Sequence, residues 1–197
     1  MRPPTHRAAG KARRNALLEA AVEVIAARGV SGATHRAIAD KAKVPLSTTS
    51  YFFASIDELI AEAMRMAATQ LIAALDEARA DIAADGLSPE EMIDRYVDLL
   101  IDVPATFRAA EFEIYVQCGH NPELQAIARN LIASFEQAAR ALLREVGAPD
   151  PDVGARSLVA LADGFALQRF AWPRGDADRQ HLAAGLRALL TVFVPTR

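Results

Sequence analysis

Apolar side chains recur along most of the chain at intervals of three and four residues, which is the spacing of one face of an α-helix. The first such run predicts a helix over residues 11–28 that ends at Gly29. Its apolar face consists of Leu17, Ala20, Ala21, Val24 and Ile25. No segment alternates apolar and polar residues between hairpin turns. The pattern therefore predicts an all-α fold.

Capping residues and prolines mark further helix starts, and glycines mark several ends. Thr34 caps a short second helix, and Ser55 and Ser88 each begin a capping box with a Glu three residues later. The resulting helices cover residues 35–42, 46–52, 55–85, 88–104, 105–118, 121–147, 150–171 and 177–194. The sequence thus predicts nine helices, of which the first three form a small N-terminal head and the other six a larger body.

The composition and the absence of several motifs argue against a number of protein classes. The single cysteine, Cys118, cannot form an internal disulfide and belongs to no zinc-ligand pattern, which is typical of a reducing cytoplasm. No stretch of eighteen apolar residues predicts a membrane span, and no leader-type segment is found. Phosphate-binding loops, nucleophile elbows and paired-histidine zinc motifs are absent from the sequence. We therefore expect a cytoplasmic protein that has no cofactor, no metal site and no catalytic residue.

Charge is divided unevenly along the chain, whose total formal charge is −3. Residues 1–56 contain nine Lys or Arg and three Asp or Glu, which gives +6 and leaves −9 for the remainder. A basic head on an acidic body is expected if only the head meets the phosphates of a nucleic acid.

Two short helices that follow an amphipathic first helix predict a helix-turn-helix, whose second short helix enters the major groove of DNA. Residues 32–59, GATHRAIADKAKVPLSTTSYFFASIDEL, resemble the signature of the TetR family of transcriptional regulators. The positions in register are Thr34, Ile38, Ala39, Ala42, Val44, Thr48, Tyr51, Phe53, Ser55, Glu58 and Leu59. Three positions depart from the family pattern: Lys43 and Ser47 stand where Gly is usual, and Ile56 stands where Lys is usual.

This resemblance implies a helix-turn-helix DNA-binding domain (residues 11–56) and a ligand-binding and dimerisation domain (57–197). Residues 1–10 are expected to form a flexible basic arm, because the segment from Arg2 to Arg14 has five basic residues and no acid. A disordered solvated tail is the alternative. Inward positions of the head place Ile38, Ala39, Val44, Thr49 and Phe53 in its core. Arg36 has the fork geometry that contacts guanine or phosphate, and an ordinary solvated charge is the alternative for Arg36 and Lys43. The residues expected to contact DNA are Arg13, Arg14, Thr34, His35, Arg36, Lys43, Pro45, Leu46, Ser47, Thr48, Ser50, Tyr51 and Phe52.

The body's aromatic residues cluster in two segments, and the resemblance implies a largely apolar effector pocket with a few polar groups. Ordinary core packing is the alternative for each of them. The expected pocket residues are Phe107, Phe112, Glu113, Tyr115, Val116, Gln117, His120, Phe135, Phe165, Gln168 and Trp172. The last two helices are apolar enough to pair with a second copy as a four-helix interface, as family dimers do. Burial of their apolar faces within one chain is the alternative. The expected dimer contacts are Leu158, Leu161, Phe165, Leu182, Leu186, Leu189 and Phe193.

The resemblance thus implies a repressor that binds a double-stranded operator as a homodimer and is released by an unidentified small, mostly apolar effector. Two alternatives stay open. One is a ligand-independent regulator or an activator with the same head. The other is a helical small-molecule binding module whose helix-turn-helix no longer functions.

Overall fold

The computed structural model describes residues 4–119 and 121–194, and within them the chain forms nine α-helices joined by turns, with no β-strand. The helices are α1 Pro4–Arg28, α2 His35–Ala42, α3 Leu46–Phe52, α4 Ile56–Ala84, α5 Pro89–Ile101, α6 Ala105–Gln117, α7 Pro122–Glu145, α8 Pro151–Ala171 and α9 Asp176–Phe193. A short 3-10 turn, Val30–Gly32, lies between α1 and α2. The all-α prediction is confirmed. No helix in the described part of the chain is long and apolar enough to cross a membrane.

The start of α1 differs from the prediction. The helix begins at Pro4, seven residues before the predicted start, so the segment expected to be a flexible arm is helical over its described part. Ala8, Ala9, Lys11 and Ala12 are strong helix formers, and they continue the helix through Gly10 although an interior glycine costs about 1 kcal/mol relative to alanine. The apolar face predicted for α1 is confirmed, because all five of its residues are buried.

The described residues form two compact units. The first contains the chain up to Thr69 together with Ala105–Ala128, so it holds α1 to α3, the first half of α4, α6 and the start of α7. Helix α1 packs against both α2 and α6. The fully buried side chains of this unit include Leu17, Ile25, Ile38, Leu59, Met64 and Ile114. Helix α6, which the sequence assigned to the body, thus belongs to the same compact unit as the head.

The second unit contains Gln70–Pro104 and the chain from Arg129 onward. Helix α9 packs against α5 and α8 around a core that includes Val97, Leu143, Leu158, Leu182 and Leu186. Gly154 permits a close approach there, since a Cβ atom at this position would lie 2.8 Å from Leu143 Cδ1. Two ion pairs between exposed or half-buried side chains also join α5 to α9: Asp94 with Arg187 at 2.6 Å, and Asp98 with Arg179.

This core contains several of the residues that were predicted to lie at the dimer interface. Leu158, Leu182 and Leu186 are 3 to 6% exposed and pack within the chain, so they have almost no surface left for a partner. Leu161, Phe165, Leu189 and Phe193 are half-buried and pack against the same core. Helical periodicity identified their apolar faces but could not distinguish burial within one chain from burial between two copies.

Tyr96 is a buried polar anchor in the second unit. Its hydroxyl donates a hydrogen bond to the Ala138 carbonyl at 3.1 Å, which joins α5 to α7. Burial raises the pKa of Tyr96 to about 12, because the charged phenolate is disfavoured away from water.

Candidate nucleic-acid interface

Helix α2 is fixed at both ends by specific contacts. At its start, Thr34 Oγ1 accepts a hydrogen bond from the Ala37 backbone N–H at 3.1 Å. At its end, Lys43 adopts the left-handed conformation, with φ 55° and ψ 42°, and its backbone N–H is donated to the Ala39 and Asp40 carbonyls. Among the described residues, Lys43 is the only non-glycine residue with positive φ. The turn of the helix-turn-helix therefore closes on a lysine in a conformation that favours glycine.

Helix α3 is held against the head by its inward side. Thr49 is fully buried, and its hydroxyl donates to the Leu46 carbonyl at 2.7 Å. Ile38, Ala39 and Phe53 are at most 2% exposed, as the sequence predicted, whereas Val44 is only half-buried. The core fixes which side of α3 faces solvent, because buried Thr49 determines the rotation of so short a helix.

Most of the predicted DNA contacts are solvent-exposed in the structure. The exposed ones are Arg13, Thr34, Arg36, Lys43, Pro45, Leu46, Ser47, Ser50 and Tyr51. His35, Thr48 and Phe52 are half-buried. Tyr51 is 71% exposed, and its ring meets Phe52 edge-on, with centroids 4.9 Å apart. Their exposure makes these side chains available for contact with a nucleic acid.

One arginine and one lysine near this surface form ion pairs within the first unit. Arg14 pairs with Glu62, and its guanidinium lies 5.0 Å from the centroid of the Phe53 ring. Lys41 pairs with Glu23. In contrast, the Arg36 and Lys43 side chains have no ion-pair partner within residues 4–119 and 121–194. Arg36 and Lys43 therefore present positive charge beside α3 without an ion-pair partner in the described part of the chain, whereas Arg14 also joins α1 to α4.

Helix α4 begins directly after α3 and is capped as the sequence predicted. The Ser55 hydroxyl accepts from the Glu58 backbone N–H at 3.1 Å, and Glu58 Oε2 accepts from the Ala54 N–H at 2.6 Å. These bonds satisfy backbone donors that a helix start otherwise leaves free. The cap fixes the exit of the chain from the helix-turn-helix into the long helix.

A carboxylate on α6 contacts the turn that precedes α2. Glu113 Oε2 accepts a hydrogen bond from the Val30 backbone N–H at 3.4 Å. Gly29 has φ 69°, and a Cβ atom there would lie 3.1 Å from Glu113 Oε1. Glu113 was predicted as an effector contact, but in the structure its carboxylate bonds to the backbone of the head. No signal in the local sequence identifies this contact, because 83 residues separate the two partners.

The other predicted effector residues are divided between the two units. Phe107, Phe112, Tyr115, Val116 and Gln117 lie on α6 in the first unit, whereas Phe135, Phe165, Gln168 and Trp172 lie in the second. Val116 and Trp172 are 69% and 67% exposed, and the Trp172 ring carries the Arg174 guanidinium at 4.6 Å. His120 lies outside the described residues.

Sequence reasoning missed a buried charged group on α6. Glu111 is 1% exposed, and it accepts hydrogen bonds from Arg108 Nη1 at 2.7 Å and from the Tyr115 hydroxyl at 3.3 Å. The spacing of Arg108, Glu111 and Tyr115 places them on one face of the helix, which is the signal that could have found them.

Comparison with known proteins matches both parts of the chain to one group of regulators. Residues 17–63 match the family model described as bacterial regulatory proteins, tetR family, and residues 87–195 match the tetracyclin repressor-like C-terminal domain. The chain is 31% identical to the HTH-type transcriptional regulator PksA of Bacillus subtilis, with 85% of this chain and 83% of PksA covered.

Two further proteins resemble the chain over most of its length. The HTH-type nicotine-responsive transcriptional repressor HdnoR of Paenarthrobacter nicotinovorans is 28% identical, with 86% of this chain and 88% of HdnoR covered. The crystal structure of a transcriptional regulator from Rhodococcus sp. Rha1 has a TM-score of 0.75 at 23% identity, over 91% of this chain and 95% of that one. This last similarity concerns the fold alone.

Proposed function

Because the chain belongs to the TetR family of bacterial regulatory proteins, we propose that this transcriptional regulator is a ligand-released repressor. It binds a pseudo-palindromic operator as a homodimer, and a small, mostly apolar effector lowers its affinity for that operator. The observation that carries the proposal is the helix-turn-helix itself, in which one side of α3 is buried in the head and the other faces solvent.

DNA binding is assigned to the exposed side of α3 and to the cations beside it. Arg36 and Lys43 supply positive charge for phosphates or guanine, and residues 1–56 together carry +6. Ser47, Ser50 and Tyr51 add hydroxyl groups on the same exposed side. Arg14 stays among the proposed contacts although it pairs with Glu62, because its side chain is 35% exposed and its guanidinium has further N–H donors.

Dimerisation is assigned to apolar surface that α8 and α9 leave exposed. Val153 and Leu167 on α8 are 56% and 53% exposed, and Val192 on α9 is 73% exposed. Small residues on the same faces of α8 and α9 are also exposed. They are Ala160 and Gly164 on α8, and Ala184 and Ala188 on α9. Two helices from each copy that meet on such rows form a four-helix interface. A two-fold dimer in turn requires a two-fold operator.

Effector control is assigned to α6 and α4. The aromatic residues of α6 belong to the same compact unit as the head, and Glu113 bonds to the turn before α2. Helix α4 runs continuously from the helix-turn-helix at Ile56 into the second unit beyond Thr69. A ligand that shifts either helix therefore shifts the head, which is a coupling between two sites. The nicotine response of the related repressor HdnoR supports a small organic effector.

Selection of binding sites from random double-stranded DNA tests the proposal. We expect enrichment of a pseudo-palindrome whose half-sites lie about one helical turn, or a multiple of it, apart. Affinity should fall steeply with salt, because bound counterions are released from the phosphates. Failure to enrich any sequence, or enrichment of single asymmetric half-sites only, would contradict the dimeric DNA-binding assignment.

An arginine substitution with a matched control separates specific contact from general charge. Arg36→Ala should weaken binding to the selected operator by roughly tenfold or more, since a bidentate base contact contributes about 1–3 kcal/mol. Arg144→Ala removes another exposed arginine, on α7 in the second unit, and should leave operator affinity unchanged. Equal losses in the two variants would indicate a nonspecific charge effect and contradict the role given to Arg36.

A further inference from the structure

We propose that α3 distinguishes its base pairs through thymine methyl groups, so that its direct contacts select A·T pairs and Leu46 meets a thymine in each half-site. This inference rests on the proposed DNA-binding function and specifies the sequence class that the function requires.

Helix α3 lacks the kinds of polar side chain that usually identify a base by hydrogen bonding. In the major groove, guanine is identified by the forked donors of Arg or by Lys, adenine by the amide of Asn or Gln, and cytosine by a carboxylate acceptor. From Val44 to Ala54 the chain contains none of these side chains. Only hydroxyl groups and apolar groups remain in α3, and a hydroxyl group can bond to several different bases.

The hydroxyl groups of α3 are not equally available. Thr49 is fully buried and its hydroxyl is used by the Leu46 carbonyl at 2.7 Å, and Thr48 is half-buried. Ser47, Ser50 and Tyr51 are exposed, but their hydroxyl groups serve as donors or acceptors and discriminate little between bases. Specific recognition by α3 therefore needs another kind of contact.

Leu46 provides that contact. It is the first residue of α3, and 46% of its surface is exposed although its side chain is apolar. The N-terminal residues of a recognition helix are those that reach the base edges. Thymine carries the one apolar group that a standard base presents in the major groove, its 5-methyl. An exposed leucine at this position is complementary to that methyl group and to no other base feature.

The test replaces thymine by deoxyuridine, which removes the methyl group and keeps every hydrogen-bonding atom of the base. Affinity of the full-length protein is measured on the selected operator and on duplexes with deoxyuridine at each half-site thymine in turn. At the position that Leu46 meets, we expect about a fourfold loss per half-site, the factor that corresponds to about 0.8 kcal/mol for one buried methyl-sized group. Replacement in both half-sites should give about a fifteenfold loss.

The variant Leu46→Ala provides the second part of the test, because it removes the side chain that we expect to meet the thymine methyl group. This variant should bind the thymine and the deoxyuridine operators with nearly equal affinity, while circular dichroism shows unchanged helicity. Deoxyuridine placed outside the half-sites should have no effect on the unsubstituted protein. Equal affinity of the unsubstituted protein for thymine and deoxyuridine operators, or selected half-sites with G·C pairs throughout the α3 contacts, would overturn the inference and leave the DNA-binding function intact. Failure to select any operator would instead overturn the proposed function itself.

Discussion

Lys43 offers a variant that should make the protein more stable and less able to bind DNA. Lys43 has φ 55° at the end of α2, in the turn of the helix-turn-helix. A non-glycine residue in this conformation costs about 1–2 kcal/mol, because its Cβ approaches the following carbonyl. Glycine relieves that strain but loses about 0.5–1 kcal/mol through its greater freedom in the unfolded chain. Lys43→Gly should therefore raise the free energy of unfolding by about 0.5–1 kcal/mol.

The same substitution should weaken operator binding if the exposed Lys43 ammonium contacts phosphate. Each phosphate contact contributes about 0.9 to the slope of log affinity against log salt, so two copies in a dimer contribute about 1.8. Where the variant and the unsubstituted protein bind equally at about 1 M salt, a slope that is smaller by about 1.8 makes the affinity of the variant roughly thirtyfold lower at about 0.15 M salt. Operator affinity is measured by fluorescence anisotropy over a range of salt concentrations, and stability is measured by thermal unfolding. The melting temperature should rise by about 1–4 °C.

Lys43→Ala is the matched control, because alanine removes the charge and keeps the left-handed strain. It should lose DNA affinity and salt dependence as Lys43→Gly does, without any gain in melting temperature. An unchanged salt slope in both variants would show that Lys43 contacts no phosphate. A lower melting temperature of Lys43→Gly would show that the left-handed turn is not the source of strain that we infer.

Three further outcomes are expected. Thr48→Ala should weaken operator binding, measured by gel mobility shift, and should leave the circular dichroism spectrum unchanged; loss of helicity would make Thr48 structural. Val192→Glu should reduce the dimer population in analytical ultracentrifugation, because a carboxylate would enter the proposed apolar interface, whereas Gln180→Glu, also exposed on α9, serves as the control. The free energy of unfolding should fall as pH rises from about 10, the pKa of tyrosine in the unfolded chain, towards about 12, the pKa of Tyr96 in the folded protein. In this range Tyr96 ionises in the unfolded chain and stays neutral in the folded protein, so rising pH favours unfolding. Tyr96→Phe should flatten that alkaline decrease in melting temperature, and an unchanged decrease would assign it to other groups.

Local signals in the sequence predicted most of the fold. Thr34, Ser55 and Ser88 act as caps in the structure as predicted, since a cap requires only residues within one helical turn. The head's core was likewise predictable, because buried Ile38 and Thr49 follow helical periodicity. These features depend on neighbours along the chain, which the sequence displays directly.

Features that depend on distant residues could not be predicted in the same way. Leu158 and Leu182 have the periodicity of an interface, but their burial within the second unit is decided by the packing of α5, α8 and α9. The bond from Val30 to Glu113 and the inclusion of α6 in the first unit depend on partners far apart in sequence. The start of α1 at Pro4 was not predicted, because the apolar periodicity on which the prediction depended begins only at Leu17.

Operator affinity with and without a bound effector is the measurement that tests the central claim most directly. Small molecules that raise the melting temperature of the full-length protein are identified first, since a ligand that binds the folded state stabilises it. Operator affinity is then measured with a saturating concentration of such a molecule and without it. We predict a decrease of about 5- to 150-fold, which corresponds to a coupling free energy of about 1–3 kcal/mol. An operator affinity that stays the same when the effector site is saturated would contradict the account of a ligand-released repressor.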